Sequence, residues 1–236
     1  MQSRIEALEN HVIVCGFGRM GEAVCEELRA AGREIVVLEP DLHAYQRAVA
    51  AGHLALHGSG SREDPLLQAG IRRAESLISV ADSETENIVI ALSARELRHE
   101  LVIVARAERE SDVRKLRMAG VNRTVSPFRS GGTEAARAVL NPHLAEFLLA
   151  AASGRGDIVL DEVGVEAGSA LDGVELASYG RSEGRSVCFV VLERPGKQRL
   201  LPPGGSEVLQ AGDLLIVAGA APCVQRMQQR GRVAEA

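Results

Sequence analysis

The sequence predicts an α/β protein: a Rossmann-like doubly wound parallel sheet, a helical crossover, then a small α/β domain. Three observations carry this. Short, mostly apolar runs alternate with helix-patterned segments through the first half of the chain. A glycine cluster, "CGFGRMG" at 15–21, stands between the first such run and the first helix. From Asp157 the texture changes to short strand patterns separated by Gly and Pro turns.

The start, "MQSRIEALEN", is charged and helix-like. Strands are expected at "HVIVC" (11–15), "EIVVLE" (34–39), "LALHG" (54–58), "SLISVA" (76–81), "LVIVARA" (101–107) and "RTVS" (123–126). Several are continuously apolar, as strands covered on both faces should be. The first helix carries Val24, Leu28 and Ala31 at helical spacing and stops at Gly32. In "SREDPLLQAG", Ser61 is the expected N-cap, with Asp64 three residues on and Gly70 past the end. "SETENIVIALSAREL" opens with a capping box, Ser83 and Glu86. "SDVRKLRMAG" is expected to start at Ser111 and end at Gly120. Helices returning each strand to the same edge make the sheet parallel.

"SGGTEAARAVLNPHLAEFLLAAASGRGD" is helical but interrupted by Pro142, so two helices are expected, about 132–140 and 142–152. "FLLAAA" is apolar on too many sides for a lone surface helix. Its own domain or a second subunit must cover it. The expected division is 1–128, 129–153 as crossover, and 154–236. The last part has strands in "IVLDEVGV", "SVCFVVLER" and "LLIVAG", turns at "PPGG" and "AGD", and a closing helix "PCVQRMQQR".

The 27 Lys and Arg against 32 Asp and Glu give a net charge of −5 over 236 residues. This is not the clustered base of a nucleic-acid binder. At 3% aromatic residues with no Trp, base-stacking platforms are excluded too. No apolar run approaches the roughly 20 residues of a membrane helix, and no signal peptide is visible. The expectation is a cytoplasmic chain, free to work beside a membrane partner. Cys15, Cys25, Cys188 and Cys223 lack CxxC or CxxH spacing and read as small buried hydrophobes.

In the glycine cluster, Gly16 permits the tight turn, Gly18 lets a pyrophosphate approach the backbone, and Gly21 allows close helix–strand packing. Helix N-terminal N–H groups then favour an anion. Glu39 ends the next strand, where a carboxylate accepts from ribose hydroxyls and repels a 2′-phosphate. The pocket therefore suits NAD, AMP, ADP or ATP better than NADP. Arg19 in the loop and Arg106 at the end of the fifth strand are candidates to meet phosphates. Glu108, Glu110 and Asp112 read as a solvated helix start.

These residues resemble the RCK domain, the regulator of potassium conductance, also found in Trk- and Ktr-type uptake regulators. The nucleotide-binding half is matched by "HVIVCGFGRMGEAVCEEL", "GSGSREDPLLQAGI", "LISVADSETENIVIALSAREL", "VIVARAER" and "KLRMAGVNRTVSP". "GGTEAARAVLNPHLAEFL" is similar to its crossover helices, and "LPPGGSEVLQAGDLLIVAG" to its C-terminal domain. The resemblance implies a dimer, often built into an octameric ring beneath a membrane potassium pore. It implies that Gly16, Phe17, Gly18, Arg19, Met20 and Gly21 hold phosphates, with Glu39 and Pro40 at the ribose. Gly58 and Ser59 then line the adenine side, Val80, Ala81 and Asp82 the far wall, and Arg106 the phosphate side. Three positions depart from the family. Ser59 stands where Asp or Asn is common, and Phe128 where ATP-binding regulators carry a metal-associated Glu. Arg106 replaces a calcium-binding carboxylate, so no metal is expected there.

The leading expectation is a non-enzymatic sensor of potassium transport. A regulator of a cation–proton antiporter shares the same two domains. An NAD-dependent oxidoreductase would need an acid or base beside the nicotinamide. The last part of the chain has no His, Lys197 as its one lysine, and Tyr179 in a Gly-flanked segment expected to be a turn.

Overall fold

Six short strands, each followed by a helix, form the first half of the structure. It is a computed structural model that describes residues 1–153, 158–182, 187–196 and 199–233. In order come α1 (Gln2–Glu6), β1 (Val12–Cys15), α2 (Arg19–Ala30), β2 (Ile35–Glu39), α3 (Leu42–Ala50) and β3 (Leu54–His57). There follow α4 (Glu63–Gln68), β4 (Ser76–Ser79), α5 (Glu84–Leu97), β5 (Val102–Arg106), α6 (Glu110–Met118) and β6 (Arg123–Val125). Then come α7 (Pro127–Leu140), α8 (Pro142–Ser153), β7 (Ile158–Gly164), α9 (Leu176–Ser182), β8 (Val187–Glu193), β9 (Leu214–Ala220) and α10 (Ala221–Gly231). Two compact units result, Met1–Thr133 and Glu134–Ala236.

In the first unit the strand order is β3-β2-β1-β4-β5-β6, all parallel. The apolar runs are continuous because the two faces of the sheet bury alternate residues of the same strand. Ile13 and Cys15 of β1 join one cluster with Leu38, Leu66, Ile90, Ile103 and Leu116. Val12 and Val14 join the other with Phe17, Cys25, Val37 and Ala48. The order reverses between β1 and β4, so the loops after these strands diverge and leave a crevice at their carboxyl ends.

The second unit holds a three-stranded antiparallel sheet, order β7-β9-β8. Its core gathers Val163, Leu171, Leu192, Leu209, Leu215, Val217 and Met227. Arg194 ties the loops together through Asp213 at 3.2 Å and Glu207 at 3.0 Å.

Several local expectations are corrected. Arg62, not Ser61, is the N-cap of α4, because the Ser61 hydroxyl is held by Ser59 Oγ at 2.8 Å. α6 starts one residue early, capped by Arg109, whose N–H donates to Asp112 Oδ2 at 2.9 Å. Asp112 is therefore a buried cap and not a solvated residue. α7 begins at Pro127, earlier than expected, and the break before Pro142 falls at Asn141. Tyr179 lies in α9 and packs in the core, edge-on to Phe189. Cys15 and Cys25 are buried as expected, but Cys188 is exposed and Cys223 only half-buried. Lys197 lies outside the described residues.

Candidate functional site

The glycine turn is built by backbone demands. Gly16 has φ +102°, a conformation that side chains strain. A Cβ on Gly21 would sit 2.1 Å from the Gly16 carbonyl oxygen, so only glycine lets α2 pack against the turn. A Cβ on Gly18, by contrast, would meet nothing within 4 Å. The second glycine faces open space at the N-terminus of α2, where unpaired N–H groups favour an anion.

Glu39 is only 7% exposed. Its Oε2 accepts from the Phe17 N–H at 2.5 Å and its Oε1 from the Asp41 N–H at 2.8 Å. A carboxylate has about four acceptor sites, so one remains on each oxygen for a ligand hydroxyl. The acid is thus a brace for the glycine loop as well as a candidate ribose partner.

Glu39 lines a cleft of about 170 Å³ together with Gly16, Gly18, Pro40, Ser59, Val80, Ala81 and Asp82. A neighbouring cavity of about 450 Å³ is lined by Gly18, Arg19, Met20, Val80, Asp82, Arg106, Pro127 and Phe128. The two share Gly18, Val80 and Asp82. Phe17, Gly21 and Gly58 line neither. The Phe17 ring is buried among the residues behind the loop, and Gly58 packs close to Pro65.

Arg106 is placed beside the larger cavity, but its charge is already answered. It pairs with Asp82 at 3.1 Å and Glu108 at 2.9 Å, while its Nε is buried without a partner. A phosphate there would have to share the guanidinium with these acids. Arg19 is exposed at the first position of α2 and makes no ion pair with the described residues.

Glu86 and Asn87 also build the site, and no local sequence pattern marks them for it. Asn87 Oδ1 accepts from Ser79 Oγ at 2.6 Å and Ala81 N–H at 3.0 Å, while Nδ2 donates to Ala81 O at 3.0 Å. It pins the far wall of the cleft. Glu86 lines the cleft and takes the Ser59 hydroxyl at 2.9 Å. Burial, with Glu86 and Glu39 adding to it, pushes the Cys15 thiol far up, so this cleft cysteine stays a neutral hydrophobe. Among the described residues no His, Cys, Asp and Glu group is placed to hold a metal. No described helix is long and apolar enough to cross a membrane.

The strand order, the glycine turn at the switch point and the acid ending β2 define a Rossmann-type dinucleotide-binding fold. The family model of the TrkA-N domain matches residues 12–127. Potassium channel protein 1 of Methanocaldococcus jannaschii is 31% identical over 231 residues, 97% of this chain and 69% of that protein. Probable potassium channel protein 2 of the same organism is 29% identical, over 93% of this chain and 66% of that protein. The TrkA-N domain of the inner membrane protein ybaL from Escherichia coli superposes with a TM-score of 0.51 at 28% identity. It covers 58% of this chain and 98% of that chain. The chain belongs to the RCK family, the regulators of potassium conductance. It spans about two thirds of the length of the two channel proteins.

Proposed function

We propose that this chain is the ligand-sensing part of a potassium channel or transporter, and that its ligand is an adenine nucleotide without a 2′-phosphate. One observation carries this reading: Glu39 lines the same cleft as the open face of Gly18 at the N-terminus of α2. Phosphates at α2 and a ribose diol at Glu39 fit one nucleotide laid across the switch point. A 2′-phosphate brought to Glu39 would set two anions together in a half-enclosed site. NAD, AMP, ADP and ATP satisfy both conditions, and Arg19 lies where it can register the number of phosphates.

The cleft binds and does no chemistry. What supports this is the stretch 154–236, which has no histidine and whose Tyr179 is packed into the core of the second unit. Binding energy instead biases an assembly between two arrangements. The assembly is at least a dimer. Val139, Leu140, Leu144, Phe147 and Leu149 are exposed along α7 and α8, an apolar surface that a second copy covers. A ring of such dimers would sit on the cytoplasmic side of a membrane pore. The test is mass spectrometry of small molecules released from the purified protein. An adenine nucleotide lacking a 2′-phosphate is expected; NADP as the released ligand would contradict the reading.

A further inference from the structure

Three acids line the cleft: Asp82 pairs with Arg106, the ribose accounts for Glu39, and Glu86 is left. With phosphates at Gly18 and the ribose at Glu39, the base extends toward Ser59 and Gly60 after β3, and Glu86 and Ile90 on α5, which line the same cleft. The polar groups there run in one direction. Ser61 offers its N–H to Ser59 Oγ at 3.2 Å and its hydroxyl at 2.8 Å. Ser59 gives its own proton to Glu86 Oε1 at 2.9 Å, a direction fixed because a carboxylate only accepts. A hydroxyl has one proton and two lone pairs, so Ser59 has nothing left for a ligand. Glu86 Oε2 takes no hydrogen bond from any described residue. The side-chain group offered to the base is therefore an acceptor.

An acceptor at this place distinguishes purines. A 6-aminopurine presents an N–H donor at C6. A 6-oxopurine presents a carbonyl oxygen, which would meet the carboxylate lone pair to lone pair. We propose that Glu86 is the base-selecting residue of the cleft: its carboxylate accepts from the exocyclic 6-amino group, admitting adenine nucleotides and rejecting hypoxanthine and guanine ones. The proposal rests on the nucleotide reading above and names the residue that decides the base. Ser59, after β3, is spent on Glu86, so the carboxylate that faces the base comes from α5.

The experiment is calorimetric titration of the purified protein with ADP and with inosine 5′-diphosphate, which differ at purine C6. The wild type should bind ADP at least about tenfold more tightly, as sites that hydrogen-bond a substrate group do. Glu86→Gln should bring the two within about threefold, because its amide offers both a donor and an acceptor. Equal binding of the two by the wild type overturns the proposal and leaves the nucleotide reading standing. An unchanged ratio in Glu86→Gln overturns it as well. Binding of neither nucleotide overturns the proposal, and the nucleotide reading falls with it only when NAD, AMP and ATP fail to bind as well.

Discussion

The Phe17 backbone N–H and Glu39 Oε2 are 2.5 Å apart, joining the glycine loop to the end of β2 across 22 positions of sequence. The same carboxylate holds the Asp41 N–H, so one side chain fixes both loops that frame the cleft. Glu39→Ala leaves the two N–H groups without their acceptor, a cost of about 1–3 kcal/mol. Chemical denaturation should show a loss of that order, together with weaker nucleotide binding. Stability equal to wild type would mean that the brace is not structural.

Gly18 and Gly21 should separate ligand from fold. At Gly18 a methyl group meets open space, so Gly18→Ala should keep the wild-type melting temperature and weaken nucleotide binding at least about tenfold, the effect of about 1.4 kcal/mol. Gly21→Ala drives Cβ into the Gly16 carbonyl and should lower the melting temperature whether or not ligand is present. Paired thermal melts and titrations read both. The reverse pattern would contradict the placement of Gly18 at the ligand.

The fold should lose stability in mild acid through His11. It is buried, its Nε2–H donates to the Ala69 carbonyl at 2.8 Å, and its Nδ1 has no partner. Burial, reinforced by Arg73 and Arg98 against the opposing Ala69 carbonyl and Glu9, holds its pKa below the usual 6.5. Burial and Arg29 do the same at His53. For a histidine depressed in the fold, the unfolded chain binds the proton more readily. The contribution is then complete above the unfolded value of 6.5 and is lost as pH falls through it toward the folded value. Urea midpoints should drop between about pH 7.5 and 5.5, and His11→Gln should flatten the slope. An identical slope in His11→Gln would assign the effect elsewhere.

A charge on α8 should break the assembly. Phe147 is 46% exposed and Leu149 61% exposed. If a second copy covers them, Phe147→Glu buries an unpaired charge and should shift light scattering from dimer to monomer at tens of micromolar, roughly the regime of ordinary interfaces. A wild-type monomer at that concentration would contradict the dimer.

The strands of the first unit were legible because each is a short apolar run covered on both faces, and helices such as α5 because Ser83 announces their start. The alternation implies the helix α3 but gives it no bounds, although Asp41 caps it, accepting from the Ala44 N–H at 2.8 Å; an Asp after a strand and a Pro is the available signal. The glycine loop and Glu39 were legible because their spacing is local. Glu86 was read as a capping residue only. Its bond to Ser59 joins positions 27 apart, and no periodicity encodes that. Half of the pairing of Arg106 was hidden for the same reason, since Asp82 lies 24 positions away on a different strand's loop, whereas Glu108 is only two positions away.

The most direct test is calorimetric titration of the purified protein with NAD and NADP, which differ only in the 2′-phosphate. Glu39 at the ribose predicts saturable binding of NAD, with NADP at least about tenfold weaker, and loss of that preference in Glu39→Gln. Binding of NADP as tightly as NAD by the wild type, or no heat with NAD, AMP, ADP or ATP, would contradict the claim that this cleft reads an adenine nucleotide.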